Sequence, residues 1–146
     1  MTVGPDQLLP FLGVEADASL AEAAEHAFGG RLGPALDNLR RAFAEGEPGV
    51  AAVRTAGVHI QRLRRSGAQT RTGVALAAAL KSSGVFWKTE REMTRQVRAW
   101  SDADLLAIQG RVLEADAACK SAGSPDQLLA ERLYAGIAGQ ARRSGL

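Results

Sequence analysis

The sequence predicts an all-α protein, a bundle of about six or seven helices with short connections. Three observations carry that expectation. No stretch of useful length alternates apolar and polar residues as a half-buried strand would. Apolar residues recur instead at spacings of three and four through most of the chain. Between those runs stand Gly, Pro and Ser, the residues that stop and start helices.

Each element follows from its local chemistry. Ser19 and Glu22 have the capping-box spacing and are expected to open a helix over "LAEAAEHAF". Gly29 and Gly30 end it, because glycine tolerates the left-handed turn past a helix. In "LGPALDNLRRAFAEG" the residues Leu36, Leu39 and Phe43 share a face, and Gly46 closes the run. Pro48 suits a first helical turn. Behind it Val50, Val53, Gly57, Ile60 and Leu63 form one apolar face, and "SGAQTRTG" leaves the end of that helix open. "VALAAALK" reads as a short Ala-rich helix closed by Ser82, Ser83 and Gly84.

Next comes "GVFWKTEREMTRQVRAW", which holds both tryptophans. Phe86, Met93, Val97 and Trp100 fall near one side of a helix. Ser101 with Asp104 caps another, whose apolar line is Leu105, Ile108, Val112, Ala115 and Cys119. In "SPDQ", Ser124 stands as the N-cap, Pro125 in the first turn and Gln127 at the capping-box position. The final helix carries Leu129, Leu133, Ile137 and Ala141. It is expected to pack antiparallel to its predecessor, because only "SAGSP" separates them. "PDQLL" occurs at Pro5 and Pro125. With no further similarity around them, these are two helix starts of the same composition and not a repeat.

The totals bound the class. A chain of 146 residues, 46% apolar and 23% charged, is of single-domain size with an ordinary core. No apolar run reaches the roughly 18–20 residues of a membrane span. "MTVGPDQLLPFLG" lacks the basic start of a secretory signal. Cys119 is the only cysteine, which excludes an internal disulfide and fits a reducing cytoplasm. Behind Ala117 and Ala118 it reads as a small buried hydrophobe. Charge is uneven. Residues 1–50 hold 3 basic and 8 acidic side chains, residues 51–100 hold 10 and 2, and residues 101–146 hold 5 and 6. A basic middle third attracts phosphates or an acidic partner, or is only a solvated face.

Catalytic signatures are not found. His26 and His59 are the only histidines, and "EAAEHAF" has neither the HExxH nor the ExxH spacing of metal-binding helices. No Gly-rich loop precedes a lysine, and no Ser sits in a nucleophile elbow. Asp102 and Asp104 read as helix-start residues. The expectation is therefore no catalytic residue, no metal and no cofactor, which leaves binding. Lys88, Arg91, Arg95 and Arg98 lie within about 80° of one another on a helix, on a different face from the apolar one. Cations beside an aromatic can track a phosphate backbone while a ring stacks on a base. Arg54, Arg62 and Arg65 on a neighbouring helix would widen that patch. Trp100 is expected in the core; Trp87, next to Lys88, could be core or contact.

From Ser19 onward the chain resembles the C-terminal domain of the delta subunit of bacterial DNA polymerase III, a clamp-loader subunit. The stretches that carry the resemblance are "LAEAAEHAFGGRLGPALDNLRRAFAEGEPGVAAVRTAGVHIQRL", "VFWKTEREMTRQVRAWSDADLLAIQGRVLEADAACKSAG" and "LLAERLYAGIAGQAR". The second is the most specific: an aromatic pair, a lysine, a basic helix ending in Trp, a Leu/Ala helix, then "CK-x-x-G".

The resemblance implies a helical collar domain of the post-AAA+ oligomerisation type over residues 18–146. Residues 1–17 would be a remnant of the preceding AAA+ lid domain or a linker. It implies a non-catalytic role in a holoenzyme whose clamp-loader ATPase resides in other subunits. The implied partners are delta prime and gamma/tau, with primer–template DNA as a secondary contact. The sliding clamp would be reached only through N-terminal domains absent from this sequence. No membrane is implied, and the setting is cytoplasmic. Trp87, with Phe86 as alternative, becomes a DNA-stacking candidate, joined by Lys88, Arg91, Arg95, Arg98 and Lys120. A tyrosine that follows the matching lysine in some relatives is replaced here by Ser121 and Ala122. Arg54, Arg62 and Arg65 become subunit-interface candidates. The alternative is an autonomous helical module that binds nucleic acid or acts as an adaptor.

Overall fold

The computed structural model describes residues 18–83 and 89–146. They form seven α-helices: α1 (18–28), α2 (Leu32–Ala44), α3 (Gly49–Arg71), α4 (Leu76–Ser82), α5 (Glu90–Ala99), α6 (Asp102–Cys119) and α7 (Asp126–Arg143). Among the described residues there is no strand. The all-α bundle expected from the spacing of apolar residues is the observed architecture.

α3 is the central element and touches α4, α5, α6 and α7. Its buried side is Ala52, Val53, Ala56, His59, Ile60 and Leu63. The expected face missed Ala52, Ala56 and His59, while Val50 is only half-buried. Alanines make up much of the core, with Ala23, Ala27, Ala35, Ala42, Ala52 and Ala56 all fully buried. Short side chains on facing helices let the backbones approach closely. The larger fillers are Leu20, Phe28, Leu39, Ile60, Leu63, Leu80 and Ile137. Tyr134 joins them: its ring is buried and its hydroxyl donates to the Ala52 carbonyl oxygen at 2.7 Å, tying α7 to α3.

The helix ends mostly follow the expected residues. α1 and α2 stop at Gly30 (φ +81°) and Gly46 (φ +99°), the left-handed conformation that glycine adopts without strain. The end of α3, open in the sequence, falls at Arg71 with Thr72 as C-cap. The Ser101 hydroxyl accepts from the Asp104 N–H at 3.1 Å, as its cap spacing implies.

Two expected caps are corrected. Ser19 lies inside α1, whose described part already begins at residue 18, so it is not that helix's N-cap. The N-cap of α7 is Pro125 and not Ser124. The Ser124 hydroxyl turns back and donates to the Cys119 carbonyl oxygen at 2.9 Å, so it serves the end of α6. Asp126 takes over at the start of α7. One of its oxygens accepts from the Gln127 N–H, and the other accepts from the Gly49 N–H at 2.7 Å. The first residue of α7 thus caps α3.

α6 and α7 pack antiparallel, as the short connection requires. Ala118 lies level with Leu129 along a shared groove, and the Arg111 guanidinium lies against Gly136. α3 and α6 are antiparallel too, since Arg54 meets Asp116 at one end and Arg64 meets Asp102 at the other. Among the described residues, no helix is long and apolar enough to cross a membrane.

Candidate nucleic-acid and subunit interfaces

α5 owes its orientation to one strongly apolar side. Met93 and Trp100 are buried, and Val97 packs against the core. Trp100 is 5% exposed and donates its indole N–H to the Phe28 carbonyl oxygen at 2.9 Å, its ring tilted against Phe28. The core role expected for Trp100 is therefore observed. With that side turned inward, Arg91, Arg95 and Arg98 face outward along an open groove of about 940 Å³, which Thr94, Ala99 and Leu146 also line. Phe86, Trp87 and Lys88 lie outside the described residues.

The three arginines differ in freedom. Arg95 is anchored: it donates to both oxygens of Glu92, at 3.0 and 3.1 Å, and to the Gly29 carbonyl oxygen. Glu92 also accepts from Arg31 at 3.0 Å and from the Gln96 amide at 2.9 Å. Burial works to raise the Glu92 carboxyl, but hydrogen bonds from Arg95, Gln96 and Arg31 outweigh it and hold it below the ordinary carboxylate value. Arg91 and Arg98 make no ion pair among the described residues. The stripe thus combines one fixed guanidinium with two that no described acidic side chain holds.

Beneath it lies a polar core network that the sequence reading missed. Gln96 is fully buried. Its amide nitrogen donates to the Glu25 carbonyl oxygen and to Glu92, both acceptors, so its oxygen must face His59. The 2.7 Å contact then has His59 Nε2–H donating to Gln96 Oε1. The imidazole stacks on Phe28, with ring centroids 4.6 Å apart. Burial lowers its pKa to about 4, against a weaker rise from the Gln96 bond, so the ring is neutral at neutral pH. A signal was present in the sequence: Gln96 stands three residues after Met93 and four before Trp100, on the apolar side of α5.

None of Arg54, Arg62 and Arg65 lines the α5 groove. Arg54 faces Asp116 on α6, and Arg62 borders a groove between α1 and α3. Arg54 approaches Asp116 at 3.8 Å, while Arg62 and Arg65 make no ion pair among the described residues. Lys120 binds Asp116 at 2.6 Å on the same helix and stands apart from the groove. Cys119 is half-buried, and its thiol is pushed up, first by burial and then by Asp126 and Asp116. His26 accepts from Arg31 Nε at 3.0 Å. Among the described residues, no three His, Cys, Asp or Glu side chains are grouped so as to hold a metal ion.

Comparison with protein-family models, with curated proteins and with solved structures finds no match for this chain.

Proposed function

We propose that the chain is an assembly module: the C-terminal oligomerisation domain of a DNA polymerase III delta subunit, part of the clamp loader that places the sliding clamp on primed DNA. The observation that carries this reading is the resemblance of three sequence stretches. Residues 20–63 run from within α1 through α2 into α3, residues 85–123 include α5 and α6, and residues 128–142 lie within α7. The all-helical bundle is compatible with a collar. In this reading the domain is cytoplasmic and makes no bonds itself, ATP hydrolysis lies in other subunits, and its partners are delta prime and gamma/tau. Primer–template DNA is a secondary contact, through the α5 stripe and Phe86, Trp87 and Lys88, with Lys120 a further candidate.

A second reading is favoured by one specific observation. Arg91 and Arg98, which make no ion pair among the described residues, line an open groove, which suits an autonomous nucleic-acid-binding module. Size-exclusion chromatography of the purified chain mixed with delta prime and gamma/tau separates the two. Assembly predicts one larger complex containing all the subunits. If the chain elutes alone and yet shifts a labelled primer–template junction, the assembly reading is lost and the second takes its place.

A further inference from the structure

α3 carries five arginines, Arg54, Arg62, Arg64, Arg65 and Arg71, and no acidic residue. α6 answers only two of them. Along the outer edge of the α3–α6 seam three polar rungs cross between the helices. Arg54 meets Asp116 at 3.8 Å, Gln61 meets Gln109 at 3.3 Å, and Arg64 meets Asp102 at 3.0 Å. The same rows hold apolar side chains between the rungs. On α6 the row runs Asp102, Leu106, Gln109, Leu113, Asp116, at spacings of four and three. On α3 it runs Arg54, Val58, Gln61, Arg65. Leu106 is 48% exposed, Leu113 63% and Val58 50%. The antiparallel register sets Val58 level with Leu113, and Arg65 level with Leu106. Val58 also borders a shallow groove of about 200 Å³ against α1, with Ala21, Ala24 and Thr55 in its walls and Arg62 at its edge.

Single exposed leucines are ordinary on a protein surface. Here three large apolar side chains lie on adjoining rows, with Arg62 and Arg65, which make no ion pair among the described residues, near Val58 on α3, the arrangement of an interface with an apolar centre and a polar rim. Leu106 and Leu113 are two turns apart, about 10.5 Å along the axis, which matches the apolar spacing of an amphipathic helix. Charge and apolar surface together select among occupants. A phosphate backbone would answer the arginines but offer nothing to cover the leucines. A second copy of this chain is a poor match, because Asp102 and Asp116 are already engaged by Arg64, Arg54 and Lys120. An acidic partner answers both the excess of arginines and the apolar rows.

We propose that the α3–α6 face, centred on Val58, Leu106 and Leu113 and rimmed by Arg62 and Arg65, docks an acidic amphipathic helix of a neighbouring clamp-loader subunit. The partner's identity rests on the assembly reading above; the chemistry of the face does not. The α5 groove lies elsewhere on the molecule, so the two surfaces can be tested separately.

The test uses the full 146-residue chain. Wild type, Leu106→Glu/Leu113→Glu, Arg62→Glu/Arg65→Glu, Arg62→Lys/Arg65→Lys and the groove variant Arg91→Ala/Arg98→Ala are each titrated against purified delta prime and gamma/tau. Helix content is checked by circular dichroism; the altered side chains are exposed, and the lysine variant is the mildest change. Wild type, the lysine variant and the groove variant should bind within about threefold of one another, whereas the two glutamate variants should lose at least about tenfold. Binding by wild type should weaken between about 50 and about 200 mM salt, as a charged rim requires.

Failure has distinct forms. Glutamate variants that bind like wild type overturn this face and leave the assembly reading standing. A wild-type chain that binds neither subunit removes the assembly reading, and the proposed partner with it. Self-association abolished by Leu106→Glu/Leu113→Glu would make a second copy the occupant. Loss of junction-DNA binding alone, with subunit binding intact, would make it nucleic acid. Either result overturns the acidic helix.

Discussion

His59 is a titratable ring held in the core by one hydrogen bond and one stacking partner. Protonation in place would put a charge among Phe28, Gln96 and the buried side of α3, opposed by the Arg62 cation and supported by the Glu92 anion. The folded pKa of about 4 lies below the ordinary value of 6.5. The unfolded chain therefore takes up the proton first, and the contribution to stability, complete above pH 6.5, is lost as pH falls toward 4. Wild type should lose up to about 1.4 kcal/mol per pH unit from this site between those limits. His59→Gln can still donate to Gln96 but does not titrate. Urea unfolding of both proteins at pH 7, 6, 5 and about 4 should show a steeper decline for wild type. Equal slopes would place the titration elsewhere.

At the level of helices, the start of α3 depends on α7. Gly49 opens α3, and its N–H has no partner within the helix. The Asp126 carboxylate supplies one and sets a negative charge at a positive helix end. Asp126→Ala should cost about 1 kcal/mol in urea unfolding, as other lost caps do. Gly49 is constrained separately: a Cβ there would run into the Asp126 backbone carbonyl. Gly49→Ala should cost about 1–3 kcal/mol despite alanine's better helix propensity, because backbone cannot yield as a flexible side chain can. A neutral or stabilising Gly49→Ala would show that the α3–α7 junction is looser than described. Nothing local in "EPGVAAV" or "SPDQLL" announces this contact, since the two segments are distant in sequence.

For the whole molecule, most of the described cations of residues 51–100 stand on two helices, α3 and α5. α5 directs Arg91, Arg95 and Arg98 to the groove beside Leu146. α3 directs Arg54 toward Asp116 of α6 and Arg62 to the groove beside α1. If the groove tracks a phosphate backbone, two or three neutralised phosphates give a log–log salt slope of about −2 to −3. Arg91→Ala/Arg98→Ala should reduce that slope by about 1.5–2 in fluorescence-anisotropy titrations with junction DNA. Arg62→Glu/Arg65→Glu should change the slope much less. An α3 variant that flattens it as strongly as the groove variant would reunite the two surfaces.

Helix number, helix ends at Gly30 and Gly46, the Ser101 cap and the core place of Trp100 were all legible in the chain. Each is set by residues within a few positions of one another, through spacing, capping or backbone conformation. The burial of Gln96 and His59, the turn of Ser124 back to α6, the capping of α3 by Asp126 and the separation of two basic surfaces were not. They depend on which helix faces meet, and the spacing of apolar residues tells that a face is buried without telling against what. Local pattern determined that this protein is helical and where most of its helices stop. Packing around α3 decided which cations stay free, because an arginine is paired or left open only by the neighbour the fold brings to it.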